Sequence, residues 1–414
     1  MYYIGMDWAD QKYDVAIVDH NGTIVSQHLT FKKSLAGFAQ LLDKLRHLSE
    51  NPQDCKVGIE TPNNLVVDFL VDLSYPVFAL FPGAMKSLRK RYRTSGARDD
   101  RFDAFVIADA LRTAQAGSKA PSVWRAVDFG SELVREIRLV ARDHHDLTAE
   151  HVRLSNSLRS TLKEYYPEYL QFFVDVACPC SLAFLEAYPD FDAGARLTRQ
   201  QLADFFKEQH FRRRETVNKI YEIFHRPHFK VPAALISTKK LKALACIKRL
   251  HALMPTLEEY NQRIKELVEQ HRDGKFFLSY PGVSYLTAAR LLAIFGDNRE
   301  LYRDLRELQG RTGTCPVTEK SGDDFRIIYF RRACNKFYRD VMQLLAFSSL
   351  RAASWAMKFY QKHRALGHTH SHALRCLANL HVRILFAMWK NRTCYDENIF
   401  LAQRARHLVA QQKF

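Results

Sequence analysis

The 414-residue sequence has no apolar run long enough to cross a lipid bilayer, and its N-terminus reads Met-Tyr-Tyr-Ile-Gly-Met-Asp, with an aspartate where a signal peptide would be apolar. The eight cysteines are scattered and include no Cys-x-x-Cys pair, which argues against a disulfide framework and against a cysteine-based zinc site. A phosphate-cradling Gly-x-x-x-x-Gly-Lys-Ser/Thr loop is also missing. The missing membrane span and signal peptide predict a soluble, intracellular protein, and the missing loop is consistent with a reaction that consumes no ATP.

Acidic residues are scarce relative to basic ones, since 45 Asp and Glu against 62 Lys and Arg leave a formal net charge of +17. Such a surplus indicates a polyanionic partner, because each cation that neutralises a phosphate releases a counterion. An anionic membrane surface is the rival partner. Residues 351–414 hold 11 basic and 2 acidic residues, and so carry more than half of the surplus. The length predicts two or three domains.

Residues 1–125 have the pattern of an α/β domain. Apolar alternation and turn signals predict strands and helices in the order β-β-β-α-β-α-β-α, which is that of the ribonuclease H-like fold. The predicted strands are Tyr2–Met6, Tyr13–Val18, Ile24–Leu29, Lys56–Glu60 and Pro76–Phe81, and the predicted helices are Leu35–Leu48, one after Pro62-Asn63-Asn64, and one from about Asp99 to Thr113.

The remainder of the chain is predicted to be helical. Between about residues 129 and 275 glycine nearly vanishes and helical periodicity with paired charges takes over. We interpret this section, 126–275, as a coiled-coil spacer with a helical insert around Cys178–Pro232, serving spacing and oligomerisation. The third section, 276–414, is predicted to be mainly helical and begins near the turn Tyr280-Pro281-Gly282.

Four acidic residues fall where they could meet. Asp7 lies at or near the end of the first strand and Glu60 ends the fourth, and these strands are neighbours in the predicted order. Asp100 and Asp103 are three residues apart, on one face of a helix. Converging carboxylates bind Mg²⁺, and two such ions would stabilise the attacking and leaving oxygens of a phosphoryl transfer. Each acid alone is also explained by a helix start or a turn, so the prediction rests on the joint pattern.

This pattern resembles the DEDD transposases of the IS110 insertion-sequence family, which are RuvC-like at the N-terminus and include site-specific invertases. Asp7 matches the acid of the leading Ile-Gly-x-Asp strand, and Glu60 matches the Glu that ends a later strand. Asp100 and Asp103 match an Asp-x-x-Asp-Ala segment preceded by a basic residue, here Arg98.

The resemblance continues near the C-terminus. A Pro-Gly turn at Pro281-Gly282, a Gly-x-x-Pro segment from Gly313 leading to Ser321-Gly322, and a basic stretch at 331–336 follow in the family's order. The resemblance implies that this is a transposase domain with Ser321 as nucleophile, and that the acidic site of another subunit supplies the metal to it. It further implies double-stranded donor and target DNA, a structured noncoding bridge RNA, a homodimer or homotetramer, no membrane partner, and a cytoplasmic, nucleoid-associated place in a bacterial or archaeal cell.

Other residues are candidates for nucleic-acid contacts. The Gly282 turn resembles a helix-hairpin-helix, whose amides bind phosphate, although Ser284 replaces the second glycine and a plain helical turn explains the segment too. Basic residues interleaved with aromatic ones could bind a backbone and stack bases, although at helical spacing such rings also suit a core. The contacts that we expect are made by Gly282, Arg326, Arg331, Arg332, Lys336 and Arg339.

The histidine-rich stretch His363–His372 with Cys376 invites a zinc interpretation. Its irregular spacing does not fit the paired ligands of structural zinc sites. A helix cap by Thr369 or Ser371 explains the stretch as well and is the favoured interpretation, and the sequence leaves open whether the cluster has a function.

Two other functions stay open on the residues alone. A Holliday-junction resolvase-like nuclease or a DNA invertase would use the same four acids, and such a nuclease would keep its cleavage activity in Ser321→Ala. A noncatalytic nucleic-acid-binding protein would tolerate Asp7→Asn and Glu60→Gln. Ser321 by itself is also explained as a polar loop residue, because serine is a weak nucleophile and only Asp323 and Asp324 are close in sequence.

Overall fold

The computed structural model describes residues 1–8, 11–62, 64–81, 83–92, 99–115, 123–211, 214–321 and 325–402, with the backbone alone for residues 27, 28, 214, 320, 321 and 325–327. The chain divides into two compact units, residues 1–129 and 130–414. Among the residues described, no helix has the length and hydrophobicity that a membrane span requires.

The first unit is a six-stranded mixed sheet with helices packed on both faces. Strands β1 to β6 span Tyr2–Trp8, Lys12–Asp19, Ile24–Lys32, Cys55–Ile59, Val77–Leu80 and Trp124–Ala126. Helices α1 to α4 span Leu35–Leu48, Leu65–Asp72, Ala84–Tyr92 and Asp100–Gln115. The strand order is β3-β2-β1-β4-β5-β6, with β1, β4 and β5 parallel to one another and the remaining pairs antiparallel. The predicted β/α order and the adjacency of β1 and β4 are therefore confirmed.

Strand β1 shows how the two faces of this sheet are used. Ile4 and Met6 are fully buried in the apolar cluster that also contains residues of α1 and α2. Tyr3 points the other way, into the cluster formed with α4, because successive side chains of a strand alternate between faces. Helix α1 begins at Ser34, whose hydroxyl accepts the backbone N–H of Gly37 at 3.2 Å, and it has the bounds that the sequence predicts.

Two elements of the first unit were not predicted from the sequence. Helix α3, Ala84–Tyr92, has nine residues, four of them Lys or Arg, and packs Met85, Leu88 and Tyr92 against the core; its shortness and basic composition hid this stripe in the sequence. Strand β6 has three residues, too few to show a period of two. Small differences also appear at strand ends: Asp7 lies one residue inside β1, and Glu60 directly follows β4.

The second unit is helical apart from one hairpin among its described residues. Helices α5 to α16 span Glu132–Tyr165, Pro179–Ala187, Phe191–Ala195, Arg199–Glu208, Arg214–Phe224, Ala233–Gln270, Gly274–Leu278, Tyr285–Phe295, Leu305–Arg311, Lys336–Ala352, Ser354–Ala365 and His370–Asn391. Strands β7 and β8, Val317–Ser321 and Phe325–Tyr329, pair antiparallel. The chain is thus mixed α/β at its N-terminus and mostly helical beyond it.

The long helices α5 and α10 pack side by side and antiparallel. Arg249 of α10 lies 2.8 Å from Glu150 of α5, and Arg263 lies 2.5 Å from Glu136, so the later residue on α10 meets the earlier residue on α5. Helices α6 to α9 form the insert between them, around a separate aromatic-rich core. A supercoil between α5 and α10, and the domain limits at 125/126 and 275/276, stay predictions.

The C-terminal helices bury a neutral histidine. His381 of α16 is fully buried, with its Nδ1 2.5 Å from the Tyr280 hydroxyl and its Nε2 2.9 Å from the Ser349 hydroxyl. Burial lowers the pKa of His381 to about 3. Its ring is therefore uncharged at neutral pH and is held by two hydroxyl groups rather than by a carboxylate.

We expect His381 to make the protein acid-sensitive. The unfolded histidine takes up a proton below about pH 6.5 while the folded ring does not, so stability falls by about 1.4 kcal/mol for each pH unit between that value and the folded pKa. His381→Gln removes this difference. Urea unfolding should therefore show that the free energy of unfolding falls between pH 7 and pH 5 by about 2 kcal/mol less in His381→Gln than in the wild type. Equal falls in the two proteins would contradict the prediction.

Candidate active site

Two glycines in adjacent strands allow helix α4 to lie directly on the sheet. Gly5 of β1 and Gly58 of β4 are partners in the parallel pairing. A Cβ atom on Gly5 would stand 1.9 Å from the carbonyl oxygen of Ala104, and one on Gly58 would stand 3.0 Å from the Ile107 side chain. Any residue larger than glycine at position 5 would therefore displace the backbone of α4.

This glycine pair places two of the predicted acids beside α4. Asp7 follows Gly5 by two residues, and Glu60 follows Gly58 by two residues. Side chains two apart in a strand share a face, so Asp7 lies on the α4 side of β1. Met6 of β1 pairs with Ile59 of β4, and Asp7 and Glu60 are the residues that follow this pair, so they lie side by side on neighbouring strands.

The other two predicted acids come from the first turn of α4. Asp100 and Asp103 lie there, and Asp103 directly precedes Ala104, whose carbonyl faces Gly5. Asp103 is buried, with 4% of its surface exposed. The structure thus brings the four acids within electrostatic reach of one another, at the C-terminal ends of β1 and β4 and the start of α4, although no three of their oxygen atoms lie as close together as the ligand atoms of one bound ion.

The electrostatics of Asp7 show how closely these groups interact. Burial, followed by the negative charges of Asp103 and Asp100 and more weakly of Glu60, raises the pKa of Asp7 to about 6. Like charges that raise a carboxyl pKa indicate negative charge that is not fully compensated.

Arg89 is a member of the site that the sequence did not reveal. Its Nε and one terminal nitrogen lie 2.6 and 2.5 Å from the two carboxylate oxygens of Asp103, a bidentate pair. Its pKa is raised first by the hydrogen bond to Asp103 and then by the charges of Asp103, Glu60 and Asp7. The available signal was the basic run Arg89-Lys90-Arg91, which precedes the Asp100–Asp103 pair. Arg98, the predicted basic residue, lies outside the described residues.

A fifth carboxylate, Asp14, was also missed. It is opposite Asp7 on β2 and is almost completely buried. The Thr30 hydroxyl donates to it at 2.8 Å, and the Lys12 ammonium lies 2.8 Å from its other oxygen. Because these partners engage both oxygens, Asp14 is not counted among the metal-binding candidates.

The donor set fits a divalent cation. It consists of four carboxylates on one sheet edge and the helix above it, and the raised pKa of Asp7 marks the excess of negative charge that a cation would relieve. Hard divalent cations take oxygen ligands of this kind. Asp103 would have to share its oxygens between Arg89 and such an ion.

Ser321 lies in the second unit. It is the last residue of β7 and pairs with Phe325, the first residue of β8, so it belongs to a strand rather than to a loop. Its side chain, together with Asp323 and Asp324, lies outside the described part of the chain. The hairpin was not predicted, because each strand has only five residues.

The side chains predicted to contact nucleic acid differ in their solvent exposure and in their contacts within the protein. Arg332 and Lys336 are exposed. Arg331 is half-buried and donates to the Cys315 carbonyl at 3.3 Å, and the Arg339 guanidinium lies 5.4 Å from the centre of the Phe330 ring. The side chain of Arg326 lies outside the described atoms. Only Arg332 and Lys336 therefore combine a described side chain with full exposure.

Gly282 lies in the turn between α11 and α12 and has a φ of +80°, which favours glycine. Its carbonyl accepts a hydrogen bond from the Ser348 hydroxyl at 3.1 Å. The Ser284 hydroxyl caps α12 by accepting the N–H of Thr287. The turn therefore packs against α14, a contact that a plain helical turn also makes.

Comparisons with known proteins match both the N-terminal and the C-terminal part of the chain to transposases. Residues 4–167 match a family model described as a transposase, of the DEDD type of IS110, and residues 274–361 match one described as the transposase IS116/IS110/IS902 family. The chain is 30% identical over 402 residues, 95% of each chain, to the Streptomyces coelicolor mini-circle protein assigned as the transposase of IS117.

Two further relatives belong to insertion elements. An uncharacterized 43.6 kDa protein of IS110 from Streptomyces coelicolor is 27% identical over 78% of each chain. An uncharacterized 44.8 kDa protein of IS116 from Streptomyces clavuligerus is 28% identical over 73% of this chain and 75% of its own. On these matches the chain belongs to the IS110 family of insertion-sequence transposases, enzymes that cut DNA and transfer its strands.

Proposed function

We propose that this protein cuts and rejoins DNA strands of its insertion sequence with Mg²⁺ held by Asp7, Glu60, Asp100 and Asp103 and with Ser321 as covalent nucleophile. The observation that carries the proposal is the convergence of four carboxylates on one sheet edge, with the pKa of Asp7 raised by its neighbours. The strand order, with its parallel β1-β4-β5 centre, is typical of a ribonuclease H-like, RuvC-like domain. This supports a nucleic-acid phosphoryl-transfer site.

The residues of the acidic site have distinct tasks in this proposal. Asp7, Glu60, Asp100 and Asp103 hold the metal, and a pair of bound Mg²⁺ ions supplies charge stabilisation to the attacking and leaving oxygens of the phosphodiester. Arg89 holds the Asp103 carboxylate in a bidentate pair and so orients it. Gly5 and Gly58 keep α4, and with it Asp100 and Asp103, against the strands.

The serine step conserves the energy of the phosphodiester bond. The Ser321 hydroxyl loses its proton and attacks the phosphorus, an oxygen–phosphorus bond forms, and the bond to one deoxyribose oxygen breaks. That oxygen takes up a proton and leaves as a hydroxyl. A hydroxyl from another DNA strand reverses the exchange and frees Ser321, so no ATP is consumed.

The partners follow from charge and from the family resemblance. The +17 surplus and the exposed Arg332 and Lys336 favour binding of donor and target DNA. We further propose that a structured noncoding bridge RNA selects both DNA sites by base pairing. We also propose that the long α5–α10 pair serves oligomerisation into a homodimer or homotetramer, in which the acids of one subunit serve Ser321 of another.

The experiment is recovery of a covalent DNA adduct. Full-length protein is incubated with donor DNA, guide RNA and Mg²⁺, and the trapped product is digested and sequenced by mass spectrometry. We expect a phosphodiester on Ser321, and we expect Ser321→Ala to lose the adduct and to reduce strand exchange by at least about 10³-fold. Thr318→Ala, which removes an exposed hydroxyl from the same strand, is the matched control and should keep both.

Two outcomes would overturn the proposal in different ways. Cleavage that persists in Ser321→Ala and disappears in Asp7→Asn would indicate a junction-resolving nuclease that uses the acids alone. Wild-type protein that binds DNA and RNA but neither cleaves nor forms an adduct would indicate a noncatalytic binding protein.

A further inference from the structure

Three metal-binding side chains converge at the turn between α15 and α16, in the unit that does not contain the acidic site. His363 lies in the last turn of α15, His368 in the connecting turn, and Cys376 in the second turn of α16. One ligand atom from each lies within 4.8 Å of the other two, and all three residues are half-buried. The Nδ1 atoms of His363 and His368 are 3.0 Å apart.

The helix cap that the sequence suggested is present, but it does not account for this convergence. The Thr369 hydroxyl accepts the backbone N–H of His372 at 3.3 Å and so begins α16. His370 has a separate partner, the Tyr360 hydroxyl, at 2.8 Å. Neither contact requires His363 and His368 to face each other or to face Cys376.

The separations between the three ligand atoms are close to those around a tetrahedral zinc ion. A tetrahedral zinc ion at ~2.0–2.1 Å from nitrogen and ~2.3 Å from sulfur needs ligand atoms roughly 3.3–3.6 Å apart. The two histidine nitrogens are already near that separation, and the 4.8 Å limit for the set leaves an adjustment of about 1 Å, which side-chain rotation can supply.

We propose that His363, His368 and Cys376 bind one Zn²⁺ ion, with a water molecule in the fourth position. Two imidazoles and one thiolate are the donors that favour zinc over magnesium, which prefers oxygen. For the Nδ1 atoms to bind, each neutral ring would carry its proton on Nε2, and Cys376 would release its thiol proton to solvent. Zinc binding here reverses the expectation from residue spacing alone.

The ion would join the end of α15 to the start of α16. Beside Cys376, the Arg375 guanidinium lies 4.7 Å from the centre of the Phe330 ring. Phe330 directly follows β8, the strand that pairs with the Ser321 strand. Zinc therefore supports the base of this hairpin, in a structural role independent of the Mg²⁺ chemistry.

The test uses the full-length chain freed of metal with a chelator, with Zn²⁺ and then Co²⁺ as probes. We expect one Zn²⁺ per chain by calorimetric titration, a rise in the thermal unfolding midpoint, and a thiolate-to-cobalt charge-transfer band. His363→Gln and Cys376→Ser should each weaken zinc binding at least about tenfold and the second should remove the band. His370→Gln and Cys394→Ser, neighbours outside the cluster, are the matched controls and should change neither.

Sulfur ligation separates this site from the carboxylates, because only a thiolate gives the cobalt band. Circular dichroism of the metal-free variants shows whether they remain folded, and Cys376→Ser is nearly isosteric. The proposal is overturned if the wild type shows no cobalt–thiolate band, or if His363→Gln and Cys376→Ser bind Zn²⁺ as tightly as the wild type. Loss of the band in Cys394→Ser would also overturn it.

Discussion

Asp7→Asn is expected to reduce Mg²⁺-dependent DNA cleavage by at least about 10³-fold and, in the absence of metal, to make the protein more stable. The loss of cleavage follows from the loss of a charged oxygen ligand. The gain in stability follows from the pKa of Asp7, which burial and neighbouring acids raise from 3.8 to about 6. Folding therefore disfavours the charged form that prevails at pH 7.

The stability cost of the charged Asp7 carboxylate depends on pH. A carboxyl with a raised folded pKa costs nothing below its unfolded pKa, and the cost grows between about pH 4 and 6 and is complete above that range. With an allowance for solvent screening, Asp7→Asn should raise the free energy of unfolding at pH 7 by about 1–2 kcal/mol in a chelating buffer. Added Mg²⁺ should stabilise the wild type and leave Asp7→Asn unchanged.

Two other substitutions make this prediction specific. Asp103→Asn should also lose cleavage but should lower stability, because it breaks the bidentate pair with Arg89. Asp43→Asn, on the exposed face of α1, makes the same charge change away from the site and should alter neither property. A fall in the metal-free stability of Asp7→Asn would show that its carboxylate is better compensated than the structure indicates.

Gly5→Ala is expected to have the second large effect, although it adds one methyl group and touches no acid. The new Cβ would stand 1.9 Å from the Ala104 carbonyl oxygen and 2.5 Å from the Ala108 nitrogen, and both are backbone atoms of α4. Neither can rotate away, so the helix must move off the sheet. We expect the free energy of unfolding to fall by about 3 kcal/mol or more.

The same movement would separate Asp100 and Asp103 from Asp7 and Glu60. We therefore expect Gly5→Ala to weaken Mg²⁺ binding at temperatures where it is still folded, as measured by calorimetric titration. Gly310→Ala is the matched control, because a Cβ at that helical position meets open space. It should leave stability unchanged or slightly raise it. Full Mg²⁺ affinity in folded Gly5→Ala would contradict this close-packing argument.

Much of the first unit could be predicted from local pattern. Turn residues and apolar periodicity are local signals, and they predicted the order of elements and the bounds of α1. The repeated spacing of glycine and acid, Gly5 to Asp7 and Gly58 to Glu60, was also visible in the sequence. Only the parallel pairing of Gly5 with Gly58 shows that this spacing sets the two acids beside each other.

The parts that could not be predicted depend on contacts between distant residues or on segments with weak periodicity. Helix α3 is short and strongly basic, so neither the helix nor the position of Arg89 on Asp103 was inferred from the sequence. The β7–β8 hairpin is too short to show its period, and Ser321 was therefore as well explained as a loop residue.

By itself, the sequence determined that this chain begins with an α/β unit carrying Asp7, Glu60, Asp100 and Asp103 and continues as helices with a basic C-terminus, because periodicity and composition are local properties. Tertiary structure alone decided that α4 rests on Gly5, that Arg89 binds Asp103, and that His363 and His368 meet Cys376. These outcomes depend on how helices are rotated and seated against their neighbours. That arrangement is set by the packing of the whole core, which residue spacing along one chain does not encode.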